Sequence, residues 1–335
     1  MIKQVSIKNY KCLQDVTVNL ERFTVFVGAN GSGKTSMLQA LDLLCRTFRV
    51  QPGQLEVEFK QNCTYGSTEE VEVSCLSDDM KYRYRTSSQP QQHHQKWSGE
   101  GASFAKVSGP LEWKQWQVQL GMLPNPVWLR LDPNVLRQPA QGEDIRTMGD
   151  NGRGMHRALS SMMLERRNDF FKLEADLTRI VPSVKQLQPT AEHEIRFDTI
   201  NGKGLRAYQV SEGTLLTLGL LTAIHGVNKP GVLLLDDLDR ALHPKAQREL
   251  IELLRGVQLT NPEIQIVAST HSPYMLDSMT PKEVLVTSLR EDGSTACEPL
   301  TRHPKFSKWK DEFHPGEMWS YFGEQWVAGT EIATK

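Results

Sequence analysis

The chain has 335 residues, a formal net charge of −1 and five cysteines, none of them paired at Cys-x-x-Cys spacing. A chain of this length buries enough apolar surface to need no disulfide or structural zinc, so the scattered cysteines indicate a reduced, cytoplasmic setting. The near-neutral charge gives no overall attraction to nucleic acid or to a membrane, and we expect neither a signal peptide nor a membrane-spanning helix, which would need an apolar run of about 18 residues.

The first fifty residues predict a hairpin, then a strand, a glycine-rich loop and a helix. Residues 2–10 and 14–20 alternate apolar and polar side chains, as two half-buried strands do. Residues 23–27 form a short apolar run, which is typical of a buried parallel strand. Beyond the glycine-rich loop, apolar residues recur at helical spacing in 36–44, which predicts a helix.

The middle of the chain has a different pattern. Residues 55–59, 71–75 and 81–85 alternate, which predicts antiparallel strands with one solvated face. Residues 87–101 are polar and rich in turn formers, so we expect an exposed loop there. Residues 155–180 are helical in pattern, and Pro182 ends the helical segment.

The last third returns to alternating helices and strands. We expect helices at 213–225 and 244–254, and buried strands at 231–235 and 264–268. Strand–helix alternation at both ends predicts an α/β sheet domain that is split by an insertion. The expected division is a core N-terminal half at 1–60, an inserted β-rich and helical, lid-like region at 61–205, a core C-terminal half at 206–290 and a C-terminal tail at 291–335.

The glycine-rich loop at 28–35 matches the phosphate-binding pattern G-x-x-x-x-G-K-[ST], and it lies between a predicted strand and a predicted helix. Its glycines let successive backbone N–H groups turn toward phosphate oxygens, and the following helix adds its positive N-terminal end. Lys34 is placed to reach the β- and γ-phosphates, and the Thr35 hydroxyl to bind Mg²⁺. The sequence therefore predicts an ATP site with Mg²⁺, whose residues in this loop are Gly28, Asn30, Gly31, Ser32, Gly33, Lys34, Thr35 and Ser36.

Two acidic residues follow the predicted strand at 231–235. A carboxylate at the end of a buried strand can hold Mg²⁺ through water, and we assign that role to Asp236. Asp237 is then the candidate that orients or deprotonates the attacking water. A polar turn after the strand is the alternative, since Asp is common in turns. The phosphate loop upstream favours the metal site.

Two further segments carry candidate anion-binding residues. Residues 211–214 (Ser-Glu-Gly-Thr) precede a helix, so Ser211 and the backbone around Gly213 are able to bind an anion at its N-terminus. The alternative is an ordinary helix N-cap. His271 closes the strand predicted at 264–268, where it could hydrogen-bond a γ-phosphate or the attacking water. The alternative there is a structural histidine.

Taken in order, these motifs resemble those of ABC-type ATPases, and among them the soluble SMC/RecF/OLD-like branch. The segments that carry the resemblance are 7–11, 28–35, 211–214, 236–244 and 270–273, and the Leu-His-Pro and Thr-His-Ser-Pro in the last two are especially like OLD-type ATPases. It covers roughly residues 1–280 and is weakest at 60–150. The resemblance implies an α/β P-loop NTPase fold with an ABC-ATPase-type sheet and an inserted β-rich and helical region.

The resemblance also implies a head-to-tail homodimer with two ATP molecules between the subunits. One subunit would hold each ATP through residues 28–35, Asp236, Asp237 and His271. The other subunit would cap it with Ser211 and Gly213. Asp237 stands where this family usually has the longer glutamate, which predicts slow hydrolysis or a switch that mainly binds ATP. Gln61 is the candidate for the family's Q-loop glutamine.

Three functions stay open under this resemblance. Too little sequence follows His271 for the Toprim nuclease domain of OLD nucleases, and no sustained heptad pattern suggests the coiled coil of SMC proteins. We therefore favour an ATP-gated dimeric switch that controls a separately encoded nuclease or toxin-like effector, as in antiphage defence. The alternatives are a RecF- or SMC-like DNA-repair or DNA-clamp ATPase that binds duplex DNA and, least favoured, a transporter subunit.

Two other segments allow a functional and a structural interpretation. Residues 81–85 alternate basic and aromatic side chains, which could follow a nucleic-acid backbone. One buried and one solvated strand face is the favoured interpretation of that pattern. Residues 318–326 are dense in aromatic side chains, and we favour packing on the core over docking to a partner.

Overall fold

The computed structural model describes residues 1–47, 71–77, 80–86, 96–101, 104–108, 126–139, 147–226 and 231–329, with 80–86, 96–101 and 104–108 described by their backbone. The chain forms two compact units. The first comprises Met1–Pro126, Gly231–Leu238 and Gln265–Lys335, and the second comprises Val127–Pro230 and Asp239–Ile264. Within the described ranges no helix is long and apolar enough to cross a membrane.

Short strands and helices alternate along the described ranges. In chain order they are β1 (Ile2–Tyr10), β2 (Leu13–Asn19), β3 (Phe23–Gly28), α1 (Lys34–Thr47), β4 (Val71–Ser77), β5 (Met80–Thr86), β6 (Lys96–Gly101), β7 (Phe104–Ser108), β8 (Pro126–Leu129), α2 (Pro133–Leu136), α3 (Met155–Glu165), α4 (Arg167–Ile180), β9 (Val184–Pro189), β10 (Ile195–Thr199), β11 (Gly202–Leu205), α5 (Glu212–Ile224), β12 (Val232–Leu235), α6 (Pro244–Thr260), β13 (Gln265–Thr270), α7 (Pro273–Leu276), β14 (Val284–Leu289), β15 (Thr295–Pro299), α8 (Phe306–Trp309) and α9 (Pro315–Phe322).

The first unit contains a sheet whose parallel strands end at one edge. Its order is β15-β14-β3-β13-β12, and β15 alone among these five runs antiparallel to its neighbour. All residues of β3 and β13 are buried, because these short apolar strands lie between two neighbours. The register pairs Val27 with Thr270, and Leu235 with Ala268. The residues that follow these strands therefore meet at the same carboxyl edge.

A second sheet of the first unit is antiparallel, with the order β2-β1-β4-β5-β6-β7. The predicted hairpin is confirmed as β1 and β2. Helix α1 contacts β1 and β4 of this sheet and also β3, β12 and β13 of the parallel one, so it lies between them. The buried amide of Gln265 ties the sheets together, since it accepts from Ile2 N at 3.0 Å and donates to Ile2 O at 2.8 Å.

The C-terminal aromatic residues pack within the first unit. His303 stacks on Phe322 with ring centroids 4.4 Å apart and meets the edge of Trp326 at 5.1 Å. Met318 of α9 is 1% exposed, and the short 3-10 helix Gln325–Ala328 contacts β14 and β15. The packing interpretation of residues 318–326 is the one that these contacts support.

The second unit is mainly helical and includes the small antiparallel sheet β11-β10-β9. Helix α4 packs on α3, α5 and α6. His156 joins α3 to its surroundings: its Nε2 donates to Leu136 O at 2.9 Å, and its Nδ1 accepts from Ile195 N at 2.9 Å. Burial lowers the pKa of His156 below its ordinary value of 6.5. A neutral ring with its proton on Nε2 satisfies both hydrogen bonds.

The helical pattern predicted over 155–180 is confirmed, and it forms two helices, α3 and α4. Arg166 lies between them with φ −138° and ψ 58°. Its guanidinium donates to His225 O at 3.1 Å and to the Asp169 carboxylate at 3.2 Å. These bonds accompany a break that no glycine or proline marks in the sequence.

The prediction of a loop over 87–101 was wrong in its last part. Strand β6 occupies 96–101 and pairs with β5, so backbone hydrogen bonding overrides a turn-rich composition there. Residues 87–95, the strand predicted at 55–59 and Gln61 lie outside the described residues. The four-part division of the chain stays a prediction; the two compact units have their own bounds, and β15, from the expected tail, belongs to the parallel sheet.

Candidate nucleotide site

The phosphate-binding loop connects β3 to α1 at the carboxyl edge of the parallel sheet. Lys34 is only 6% exposed, and its Nζ donates to Gly28 O at 3.0 Å and to Ala29 O at 2.9 Å. The ammonium group thus folds back over the loop that precedes it. The two carbonyl oxygens take the hydrogen bonds that the ammonium group would donate to phosphate oxygens.

Two buried threonines of the neighbouring strands hold this loop. Thr287 of β14 shares a 2.6 Å hydrogen bond with the Ser32 hydroxyl and donates to Val27 O at 3.1 Å. Thr295 of β15 donates to Ser32 O at 3.1 Å. The two threonines lie 255 and 263 residues from Ser32 in the sequence, and neither was predicted from it. No local pattern could have indicated contacts made across two strands.

The same contacts explain why glycine occupies two loop positions. A Cβ on Gly28 (φ 153°) would lie 2.1 Å from Thr287 O, and one on Gly33 (φ 101°) would lie 2.4 Å from Thr295 Oγ1. Both distances are far below van der Waals contact, and both backbone conformations disfavour a side chain. A larger residue at either position would push the loop away from β14 and β15.

The remaining predicted loop residues face outward. Asn30, Gly31 and Thr35 are exposed to solvent, and Ser36 is half-buried in the first turn of α1. The Sγ of Cys12, in the turn between β1 and β2, donates to Ser36 Oγ at 3.6 Å. The loop therefore presents backbone and hydroxyl groups to solvent on one side while its other side is fixed.

Asp236 follows β12 and is held by a serine of the adjacent strand. The fully buried Ser269 hydroxyl donates to Asp236 Oδ1 at 2.5 Å and accepts from Asp237 N at 2.9 Å. The backbone of Ser269 also accepts from Leu238 N at 2.9 Å. One side chain thus holds the carboxylate of Asp236 and the backbone of Asp237. Ser269 was not predicted to have a role, because only the strand register, which pairs Leu235 with Ala268, brings it beside Asp236.

Asp237 is exposed and has φ 48°, in the left-handed region. Asp and Asn adopt this conformation much more readily than longer side chains do. The backbone at this position therefore suits aspartate, and this gives a local physical reason for aspartate where the resembled family usually has glutamate.

His271 follows β13 directly and is half-buried. On its two sides, the buried Thr270 accepts through Oγ1 from Ser272 N at 3.0 Å, and Pro273 begins α7. A short loop with fixed ends thus carries the histidine. Because β3, β12 and β13 are parallel neighbours, His271 lies at the same sheet edge as Gly28 and Asp236.

The predicted anion-binding residues Ser211 and Gly213 lie in the second unit. Ser211 is the N-cap of α5, and its Oγ accepts from Thr214 N at 3.2 Å, so the ordinary capping interpretation is correct for its hydroxyl. A Cβ on Gly213 would lie 2.3 Å from Ala241 O, which requires glycine. Glu212 forms a 2.8 Å ion pair with Arg240. The segment after Asp239 therefore packs directly on this helix start.

The structure thus brings together at one sheet edge the residues predicted to hold ATP and Mg²⁺, and it places the predicted cap in the other unit. Within the described ranges no three His, Cys, Asp or Glu side chains cluster as a metal site. One carboxylate (Asp236) and one hydroxyl (Thr35) fit Mg²⁺, which commonly binds through few protein ligands together with phosphate oxygens and water.

Two family models match parts of the chain. One, described as "AAA domain, putative AbiEii toxin, Type IV TA system", matches residues 125–277, and the other, described as "AAA ATPase domain", matches residues 1–91. Together they include both the phosphate loop and the segments that contain Ser211, Asp236 and His271.

Among the curated relatives that match the chain, three illustrate the likeness, and the chain covers less than two thirds of the length of each. The OLD nuclease of Thermus scotoductus is 25% identical over 328 residues, which covers 83% of this chain and 60% of that protein. The "Retron Vc95 probable ATPase" of Vibrio cholerae is 23% identical over 155 residues, covering 38% and 30%. The Septu protein PtuA of Bacillus thuringiensis is 34% identical over 70 residues, covering 21% and 17%.

Solved structures of SMC head domains share the fold. An SMC head bound to the C-terminal winged-helix domain of ScpA matches with a TM-score of 0.61 at 16% identity, covering 91% of this chain and 99% of that one. The SMC head of Thermotoga maritima matches with a TM-score of 0.52 at 12% identity, covering 89% and 98%. At this identity the likeness is one of fold.

Proposed function

Since the chain is an ABC-type P-loop ATPase of the OLD/SMC-like branch, we propose that it binds Mg²⁺–ATP between two copies of itself and works as an ATP-gated switch for a separate effector. The observation that carries the proposal is the clustering of the phosphate loop, Asp236 and His271 at one sheet edge, while Ser211 and Gly213 belong to the other unit. Each chain would then supply one half of two composite sites.

Binding begins at residues 28–36. The backbone N–H groups of the loop and the N-terminus of α1 bind the phosphates. Lys34 exchanges the carbonyl oxygens of Gly28 and Ala29 for the β- and γ-phosphate oxygens, so its desolvation is largely complete before the nucleotide arrives. Thr35 and Asp236 would hold Mg²⁺, which would neutralise phosphate charge in the transition state.

Hydrolysis requires a water molecule in line with the γ-phosphate. Asp237 orients this water or takes its proton, and His271 hydrogen-bonds the γ-phosphate or the water. Ser211 and Gly213 of the second subunit close the site through the N-terminus of α5, which favours an anion. We expect slow turnover, because the carboxylate of Asp237 is one methylene shorter than that of glutamate.

The proposal of an effector draws on the relatives, whose names include a nuclease, a retron ATPase and a Septu protein. We propose that this chain likewise belongs to antiphage defence, and that ATP-driven joining and release of two copies controls a nuclease or toxin-like protein. Light scattering on the purified chain with and without Mg²⁺–ATP, followed by mass spectrometry of proteins that co-purify from the native host, tests the two parts separately.

Three variants test the ATP site. Lys34→Ala should weaken ATP binding at least about tenfold, since a charge-assisted hydrogen bond is worth about 1.5–3 kcal/mol, whereas Lys203→Ala, on an exposed strand residue, should not. Asp237→Asn, which keeps a residue suited to positive φ, should retain ATP binding and accumulate the dimer. ATP binding without any dimer would contradict the gate, and no ATP binding by the unchanged chain would contradict the site itself.

The likeness to SMC heads favours a second candidate, a DNA-clamp ATPase. It predicts ATP-dependent affinity for duplex DNA that falls steeply with salt as counterions are released. Co-purification of a stoichiometric protein partner without DNA dependence would favour the switch, and DNA dependence without a partner would favour the clamp.

A further inference from the structure

The loop that carries His271 ends on a close contact with helix α9. A Cβ on Gly316 would lie 2.0 Å from Pro273 O and 2.6 Å from Asp277 Oδ1, so the α9 backbone approaches α7 more closely than any side chain allows. Gly316 N donates to Asp277 Oδ1 at 3.0 Å, and Asp277 N donates to Pro273 O at 3.0 Å. The backbone at the start of α9 is therefore hydrogen-bonded to the carboxylate that follows α7, and it lies directly against the α7 backbone.

Helix α9 belongs to the C-terminal brace, by which we mean residues 300–329. In this brace, His303 packs against Phe322 and Trp326, and the 3-10 helix Gln325–Ala328 contacts β14 and β15. Those two strands also hold the phosphate loop, through Thr287 and Thr295. The brace thus links α7 to the same part of the sheet that fixes the phosphate loop.

His271 has little freedom between these anchors. Thr270 is the last residue of β13 and is fully buried, and Pro273 is the first residue of α7. Only His271 and Ser272 lie between them, and Ser272 N is bonded to Thr270 Oγ1 at 3.0 Å. A displacement of Pro273 is therefore transmitted to His271.

We infer that the C-terminal brace positions His271 for ATP hydrolysis, with Gly316 and Asp277 as positioning residues. The inference rests on the proposed function, because it needs His271 to act on ATP. It gives the aromatic C-terminal segment a role beyond packing: movement of α9 changes the rate of hydrolysis and leaves ATP binding intact.

The test substitutes Gly316→Ala in the full chain and measures kcat and the affinity for a non-hydrolysable ATP analogue. We expect kcat to fall about tenfold or more, since a misplacement of about 1 Å can cost up to about 100-fold, while the affinity stays within about twofold. Gly256→Ala in α6 is the matched control, because its Cβ would meet no atom within 4 Å and both values should stay unchanged.

A double-mutant cycle with His271→Ala separates positioning from general damage. If Gly316 acts through His271, Gly316→Ala should cause no further loss of kcat in the His271→Ala background. Asp277→Ala removes the acceptor of Gly316 N without adding volume, and it should lower kcat in the same way. If Gly316→Ala does not fold, Asp277→Ala alone tests whether the brace positions His271.

Unchanged kcat in a folded Gly316→Ala or Asp277→Ala chain, additive losses in the cycle, or an equal loss of ATP affinity would each overturn the inference. In those cases the unchanged chain still hydrolyses ATP and still depends on His271. An unchanged chain without ATP hydrolysis, or one indifferent to His271→Ala, would instead overturn the proposed function and the inference with it.

Discussion

Replacing Ser269 with alanine should slow ATP hydrolysis much more than it weakens ATP binding. The Ser269 hydroxyl is completely buried, donates to Asp236 Oδ1 at 2.5 Å and accepts from Asp237 N at 2.9 Å. Alanine removes both hydrogen bonds and leaves the backbone pairing of β13 intact. The Asp236 carboxylate then loses its donor, and the backbone N–H of Asp237 loses its acceptor.

The expected size follows from these two bonds. A hydrogen bond to a charged group is worth about 1.5–3 kcal/mol, and loss of an outer partner of a metal ligand typically lowers metal affinity or activity about 10- to 100-fold. We therefore expect kcat to fall about 10- to 100-fold and the Mg²⁺ concentration at half-maximal rate to rise. The cost to the free energy of unfolding should be about 1–3 kcal/mol.

Steady-state hydrolysis at saturating ATP over a range of Mg²⁺ concentrations measures both effects. Ser160→Ala is the matched control: Ser160 is also buried, at 3% exposure, but its hydroxyl donates to His156 O at 3.0 Å in the second unit. It should leave kcat and the Mg²⁺ dependence unchanged. A folded Ser269→Ala chain with the kcat and Mg²⁺ dependence of the unchanged chain would refute the assignment of Asp236 and Asp237 to the reaction.

Three further predictions concern other parts of the molecule. Glu212→Arg removes the ion pair with Arg240 and should weaken ATP-dependent dimerisation by up to about fivefold, as expected for an exposed ion pair of about 0.2–1 kcal/mol. Adding Arg240→Glu should restore dimerisation. Dimer dissociation constants measure both effects, and a failed rescue would contradict the role of the pair. Gly33→Ala should abolish ATP binding, because the new Cβ would lie 2.4 Å from Thr295 Oγ1. Titration calorimetry measures this, and normal binding would contradict the account of the loop. Because burial lowers the pKa of His156 below 6.5, the unfolded chain takes up the proton first, so stability should fall as the pH drops below 6.5. In urea unfolding, the free energy of unfolding of His156→Gln should fall less with decreasing pH than that of the unchanged chain. An equal fall would contradict this account.

The sequence alone was informative wherever the chemistry depends on neighbours in the chain. The phosphate loop needs a strand, glycines, a lysine and a helix start in immediate succession, and all of these lie within residues 23–44. Apolar runs likewise predicted β12 and β13, which the structure contains. Ser211 as a helix N-cap was foreseeable for the same reason, since a cap acts on the amides of the next few residues.

Only the tertiary structure decided which residues complete these motifs. Ser269, Thr287 and Gly316 act on groups that are far away in sequence, and strand order or helix packing brings them together. A serine, a threonine or a glycine is common everywhere, so its type alone carries no signal. The break at Arg166 is a similar case, because its partner is the carbonyl of a distant helix end. Local sequence therefore determined which residues are proposed to bind the nucleotide, whereas contacts across strands and helices determined how the acidic residues and His271 are held.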